Sequence, residues 1–329
     1  MGQDDQRHLG ENAGMVVSVH IGEEIYCLQA NGGISRVWRA LTPPLHDALP
    51  DAVWNGAEHA DVYLPTYYSL PVNGARSVVM VYDMIHERIR SLNYHPDAIA
   101  KRAAIERADR LLAISKATAD DILRYTGKKA EVAHCGGGEV FQRVLPDAAA
   151  AFKAQYELDR YVMLVGKRGL YKNAQALYQA WPFFAGAETH TILAVGGESP
   201  GAAEATFMAR FPKQWRRVNL DDTALAAAYS GAAALIYPSY AEGFGLPVLE
   251  AMACGCPVIC SPLSSLPEVA GDAALYVDVF RPLSIASALN ALLDPSRRLE
   301  HVMKGYERAK LFSWQGMAEI TAEAIRGVA

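Results

Sequence analysis

The run AALIYPSYAEGFGLPVLEAMACGCPVICS, Ala233 to Ser261, constrains this chain more than any other stretch. Ala233 to Tyr237 is a short apolar segment suited to a buried parallel strand, and Pro238, Ser239, Gly243 and Gly245 break it into a loop. Pro247 suits a first helical turn, Gly255 closes a helix of about two to three turns, and Pro257 to Cys260 starts the next strand. The run therefore predicts one βαβ unit. Its loop and helix start place free peptide N–H groups and the positive end of a helix outside the strand's carboxyl end, where an anion binds. Two carboxylates, Glu242 and Glu250, flank that point with seven residues between them. Beside a phosphate, a carboxylate is better suited to sugar hydroxyls than to phosphate oxygens.

Hydrophobic residues make up 51% of the 329 positions, which is enough for two α/β domains of ordinary size. A net charge of −5 argues against nucleic acid as a primary partner. No apolar run reaches the ~18–20 residues of a spanning helix, and the first residues are polar and acidic, unlike a signal peptide. We expect a cytoplasmic chain. Of the five cysteines, Cys27, Cys135, Cys254, Cys256 and Cys260, the close pair Cys254 and Cys256 lacks zinc-site spacing, so reduced thiols are expected.

The pattern divides the chain into a variable lead over 1–14, an N-terminal domain over 15–146, a C-terminal domain over 147–312 and a closing helix over 313–329. Met15 to Ile21 suits a first strand. Ala30-Asn31-Gly32-Gly33-Ile34-Ser35-Arg36 then opens a helical pattern that Pro43-Pro44 is expected to stop. A glycine pair at a helix start is a second candidate phosphate cradle. Strands are expected at Asp61 to Thr66 and Ser77 to Tyr82, the latter running into Asp83-Met84-Ile85-His86. Polar side chains just past a parallel strand sit where an open α/β sheet binds ligands. Ser115 reads as the cap of a helix from Lys116 to Tyr125. Ten Lys or Arg against six Asp or Glu between His86 and Lys129 mark a solvated helix face or a surface drawn to anionic lipid. Pro146 to Ala151 reads as a linker. Beyond it, the strand Tyr161 to Val165 leads into Gly166-Lys167-Arg168-Gly169-Leu170-Tyr171-Lys172-Asn173. A glycine and several cations between strand and helix suit a diphosphate, because Arg grips two oxygens and Lys supplies a mobile point charge.

Several of these phrases together resemble the retaining, GT-B fold glycosyltransferases of family 4. The resemblance rests on EGFGLPVLEAMACGCPVI, with its Glu, seven residues, Glu, on Gly32-Gly33-Ile34-Ser35-Arg36, and on Gly166 through Asn173; it runs from about Gly32 to Trp314. It implies two Rossmann-like, doubly wound α/β domains facing each other across a cleft, with the last helix crossing back to the first domain. It implies a hexose moved from a nucleotide diphosphate sugar, GDP-mannose or a UDP-hexose, to a glycan or lipid-linked acceptor in cell-surface polysaccharide or glycoconjugate synthesis. Carried over residue by residue, Gly33, Arg168 and Lys172 would hold the diphosphate. Glu250 would take the ribose, and Glu242 with Gly243, Phe244, Gly245 and Leu246 the sugar. No metal and no cofactor is expected, and a peripheral contact with the inner face of the membrane is implied by relatives whose acceptors are lipids. Tyr82, Asp83 and His86 are the acceptor-side candidates, and the chain departs from many relatives at Tyr82-Asp83, where they carry His-Asp. His86 could replace that His, or be a surface or capping residue; Asp83 could orient an acceptor hydroxyl, or cap the next segment. The alternative reading is a nucleotide-sugar-binding partner subunit of the same fold with little activity of its own. A phosphorylase needs a Schiff-base lysine, and none stands out.

Overall fold

The computed structural model describes residues 16–29, 32–54, 59–71 and 74–329. The expected lead over 1–14 and Ala30-Asn31 of the glycine phrase lie outside them. Twelve strands follow the chain: β1 (Ser18–Ile21), β2 (Val53–Trp54), β3 (Val62–Leu64), β4 (Arg76–Val81), β5 (Arg110–Ala113), β6 (Glu131–Val132), β7 (Arg160–Val165), β8 (His190–Val195), β9 (Trp215–Val218), β10 (Ala234–Tyr237), β11 (Val258–Cys260) and β12 (Leu275–Tyr276). They form two six-stranded sheets, ordered β2-β1-β3-β4-β5-β6 and β12-β11-β10-β7-β8-β9. The strand pairs are parallel throughout, for example Leu235 with Val258 and Met163 with Leu193.

Each order reverses direction once, and those reversals decide where ligands can reach the backbone. In an open parallel sheet the two connections at the reversal leave on opposite faces and open a crevice at the strands' carboxyl ends. In the second sheet the crevice lies between β7 and β10, so the loops 166–173 and 238–245 meet there. In the first sheet it lies between β1 and β3, under the start of helix Gly33–Ala48.

Burial on both faces explains the continuous apolar strands. Tyr161 and Met163 of β7 pack into a core that also holds Val19, Leu41, Leu249 and Ile325 and so runs through both lobes. Val162 and Leu164 face the other way, onto Trp181, Ile236 and Ile285. Val79 and Val81 likewise pack with Leu111 and Ile122 on the far side of the first sheet.

Two expectations are corrected here. The helix from Gly33 does not stop at Pro43-Pro44 but runs to Ala48. The prolines remove two N–H donors on a face that borders a cavity, while Leu41 and Leu45, fully buried, hold the helix against helix Trp314–Arg326. Packing of that stripe outweighs a local break of about 3 kcal/mol. The Arg326 guanidinium donates to the Ala48 carbonyl at 2.6 Å, satisfying the end of the extended helix. The second correction is Pro146 to Ala151, which is the first part of helix Pro146–Gln155 and no linker. Pro146 stands in its first turn, the alanines are strong helix formers, and Phe152 is buried.

The lobes are joined at the end of that second-sheet crevice. Ser115 caps helix Lys116–Thr126 as expected, accepting the Thr118 N–H at 3.0 Å. Its hydroxyl also donates to the Gly243 carbonyl at 2.6 Å, and the Thr118 hydroxyl donates to the same oxygen at 3.2 Å. Glu268, in helix Leu266–Ala270, accepts the N–H groups of Lys116 at 2.6 Å and Ala117 at 3.1 Å and meets His134 Nε2 at 2.6 Å. A side chain of one lobe thus caps a helix of the other.

Burial tends to raise the Glu268 carboxyl, but His134 and the two N–H donors outweigh it and hold it below its ordinary range. A depressed carboxyl contributes its stability fully above the unfolded value and loses it as pH falls through the folded one. We predict that Glu268→Ala costs about 1–2 kcal/mol in urea unfolding at neutral pH, the size of a lost cap. The gap to wild type should close in acid, below the ordinary glutamate range.

Candidate donor-binding crevice

The crevice of the second sheet is built on a loop with its carbonyls tied down. After Tyr237, the Ser261 hydroxyl donates to the Ser239 carbonyl at 2.5 Å, and Ser264 and Ser265 donate to the Glu242 carbonyl at 2.7 and 3.1 Å. Ser265 also donates to the Phe244 carbonyl at 2.8 Å, and Ser115 takes the Gly243 carbonyl. In a trans peptide the next N–H points opposite to the carbonyl. Fixing the carbonyls of Glu242, Gly243 and Phe244 therefore turns the N–H groups of Gly243, Phe244 and Gly245 away from those serines. Gly245 has φ +108°, a left-handed conformation open to glycine, and starts helix Leu246–Ala253 with Pro247 in its first turn. The result is a row of three consecutive N–H groups along the chain at a helix start, their peptides held by sequence-distant serines of both lobes.

Beside that row, Lys172 Nζ lies 2.8 and 2.9 Å from the two oxygens of Glu242 and 3.0 Å from the Tyr237 hydroxyl. It also sits over the rings of Tyr171 and Tyr237 at 5.4 and 5.2 Å. Burial works against its charge, but Glu242 more than offsets it and holds the ammonium well above its usual range. Asn173, at φ 52°, pins the turn through its amide to the Pro238 carbonyl. Lys172 and Glu242 meet because β7 and β10 are neighbours.

Arg168 is placed differently. Its Nε donates to Glu204 at 2.8 Å, and its two terminal nitrogens donate to the carbonyls of Gly196 at 2.7 Å and Glu198 at 2.6 Å. Both ion-paired side chains are 5% exposed. Three of its five N–H groups thus tie the turn after β7 to the turn after β8 and to helix Ala202–Arg210.

Glu250, 4% exposed, forms a third group. One carboxylate oxygen meets Arg36 Nη2 at 2.8 Å and the other accepts the Tyr229 hydroxyl at 3.1 Å. Burial pushes the Glu250 carboxyl up, with Arg36 pulling the other way. Arg36 lies over the Phe141 ring and 3.5 Å from Asp222. Arg36, Phe141, Asp222 and Glu250 border a cavity of about 770 Å³ between the lobes, lined also by Leu246, Gly137 and Trp314. Arg36 is the site residue that the sequence reading passes over. Its signal is a cation one turn past the glycine pair, on the same helix. Gly33 itself is exposed, and a Cβ there would meet nothing within 4 Å.

On the first lobe, Tyr82 is not available to an acceptor, which corrects its place among the candidates. Its hydroxyl takes the Trp38 indole N–H and donates to the Thr66 carbonyl at 3.0 Å, and the side chain is 3% exposed. A phenol long enough to reach these buried partners turns inward, where a shorter imidazole would not. Asp83 caps the next turn of the chain: its Oδ1 accepts the Ile85 N–H at 3.0 Å. Its charge also bears on Tyr171, whose phenol is raised by burial first and by Glu242 and Asp83 after it, against Lys172. A Cβ built on Gly243 would stand 3.1 Å from Asp83 Cβ, so Asp83 lies against the loop of the second sheet. His86 caps nothing. It is half-buried, and its ring stacks on His95.

The two glycines of the expected donor site carry opposite constraints. A Cβ on Gly243 would fall 1.8 Å from the Tyr82 carbonyl oxygen, a backbone atom of the other lobe. We predict that Gly243→Ala destabilises the chain by about 1–3 kcal/mol or more, as overpacking does. Gly33→Ala should leave thermal stability unchanged or raise it by up to about 1 kcal/mol. Melting curves of the two variants provide the check.

Known proteins share this outline. Residues 159–295 match the family model described as Glycosyl transferases group 1. O-antigen chain mannosyltransferase B of Escherichia coli is 45% identical over 106 residues, 32% of this chain and 28% of that protein. Alpha-maltose-1-phosphate synthase of Mycolicibacterium smegmatis is 29% identical over 71% of this chain and 67% of its own length. Among solved structures, Anabaena HepE in complex with UDP and glucose superposes with a TM-score of 0.76 at 14% identity, covering 94% of this chain and all of that one. WaaG, a glycosyltransferase involved in lipopolysaccharide biosynthesis, gives 0.74 at 13% identity over 94% of this chain and all of its own. The chain therefore has the GT-B fold, and its C-terminal lobe belongs to the glycosyl transferases of group 1.

Proposed function

We propose that this chain is a retaining glycosyltransferase that moves a hexosyl group from a nucleotide diphosphate sugar to a glycan or lipid-linked acceptor, with no metal in the reaction. The observation that carries it is the row of N–H groups at Gly243, Phe244 and Gly245 beside a cationic Lys172. As the bond from the anomeric carbon to the diphosphate oxygen breaks, negative charge grows on the diphosphate, and fixed donors and an ammonium oppose it without reorganising. Lys172 and the Gly33 N–H take the diphosphate, Glu250 the ribose hydroxyls, and Glu242 with the loop amides the sugar. The free N–H groups of Arg168 support the phosphates, while its ion pair with Glu204 makes it a builder of the turn as well. The acceptor oxygen attacks from the face the diphosphate leaves, and its proton passes to a diphosphate oxygen. Asp83 faces that point and orients the acceptor hydroxyl.

GDP-mannose and a UDP-hexose are the donors we favour, in line with the mannosyltransferase relative and the structure solved with UDP and glucose. Synthesis of a surface polysaccharide or glycoconjugate is the setting. No helix among the described residues is long and apolar enough to cross a membrane. Tyr94, Ile99, Leu123 and Tyr125 are exposed on the lysine- and arginine-rich part of the first lobe, which suits a peripheral contact with anionic lipid on the cytoplasmic side. The inward Tyr82 and the locked Arg168 favour a second reading, a nucleotide-sugar-binding partner subunit with little turnover.

One experiment separates them. Purified chain is offered UDP-, GDP- and ADP-sugars with a membrane extract as acceptor source. We predict transfer from one donor with the anomeric configuration kept, and a loss of roughly 100-fold or more in Glu250→Gln and Lys172→Ala, the scale of a lost transition-state donor. An inverted product would overturn the mechanism. Donor binding by the wild type without transfer or hydrolysis would favour the partner subunit.

A further inference from the structure

His86, His95 and Asp97 form a cluster that nothing in the proposed transfer uses. One ligand atom from each lies within 4.8 Å of the others. The imidazoles of His86 and His95 stack with centroids 5.3 Å apart and planes 14° apart, and His95 Nδ1 is 3.5 Å from Asp97 Oδ2. His86 Nδ1 is buried and has no hydrogen-bond partner, which is unusual for a buried polar atom and costs free energy unless something binds it. We propose that His86, His95 and Asp97 make a zinc-type metal site in the first lobe, where the chain passes from helix Ile85–Arg88 to helix Pro96–Arg107.

The surrounding charges fit. Two neutral imidazoles can stand this close where two imidazolium rings would repel. The Asp97 N–H donates to His95 Nδ1 at 3.3 Å. Lys101 does not compete for the cluster: its ammonium is 2.7 Å from Glu87 and donates to the Asp83 carbonyl at 2.9 Å. Two nitrogens and one carboxylate suit Zn²⁺ with an open fourth position, and suit Mg²⁺ or Ca²⁺ poorly because those prefer oxygen. His86 comes from the short helix Ile85–Arg88, His95 is the N-cap of helix Pro96–Arg107, and Asp97 stands in that helix's first turn. A bound ion would therefore clamp the turn between them, three residues from Asp83. The site lies outside the transfer chemistry and does not depend on it.

The test uses the full chain stripped with EDTA and dialysed. Titration with zinc chloride is followed by calorimetry, and with cobalt chloride by absorption. The proposal expects one ion per chain. Affinity should fall at least about tenfold in His86→Gln and in Asp97→Asn, because even the loss of an outer partner of a metal site costs that much. Cys27, the exposed thiol, is the competing ligand, so Cys27→Ser should leave binding unchanged and the cobalt form should show no thiolate charge-transfer band. Circular dichroism confirms that each variant is folded. No stoichiometric binding, binding that survives His86→Gln, or a thiolate band would each overturn the site.

Discussion

The structure depends on a close approach of two backbones. Gly243 sits so near the Tyr82 carbonyl that a methyl group cannot be placed between them, and its own carbonyl takes two hydroxyls from the first lobe. With no side chain there, the second-sheet loop seats directly on the carboxyl end of the first sheet. The same contact sets Asp83 beside the Gly243 loop, and lets Glu268 reach the start of helix Lys116–Thr126. The crevice takes its shape from an absent side chain.

Inside it, charge is arranged in pairs. Glu242 is matched by Lys172, Glu250 by Arg36 and Glu204 by Arg168. An isolated carboxylate in such a place would be expensive, and a partner with hydrogen bonds on both sides makes it tolerable. The pairs differ in exposure: Arg168 and Glu204 are each 5% exposed and hold two turns together, whereas Lys172 is 18% and Arg36 28% exposed. The serine hydroxyls that fix the loop carbonyls play the complementary part, leaving donors ready in advance, which is what stabilising a developing charge requires.

Much of this is legible in the sequence where the signal is local. The strand, loop, helix and strand from Ala234 to Cys260 follow from apolar runs, glycines and prolines in order. Ser115 stands where a cap is needed, and Lys172 follows its strand at a spacing that brings it to Glu242. The illegible part is long-range. Arg36 and Glu250 are 214 positions apart, and Glu268 caps a helix 152 positions before it; no periodicity links such residues. Pro43-Pro44 misleads because the breaking rule is local, while Leu41 and Leu45 are held by the last helix. Arg168 reads as a free cation because its partner Glu204 arrives 36 positions later, in helix Ala202–Arg210. Tyr82 ends its strand beside Asp83, and nothing local shows that its phenol reaches the Thr66 carbonyl.

The most direct measurement is a crystal structure of the chain with GDP or UDP, whichever binds more tightly. The account predicts a diphosphate within hydrogen-bond distance of Lys172 Nζ and the Gly33 N–H, with the ribose hydroxyls on the Glu250 carboxylate and Arg36 turned toward the phosphates. A nucleotide bound elsewhere, with the Lys172–Glu242 and Arg36–Glu250 pairs untouched, would contradict it.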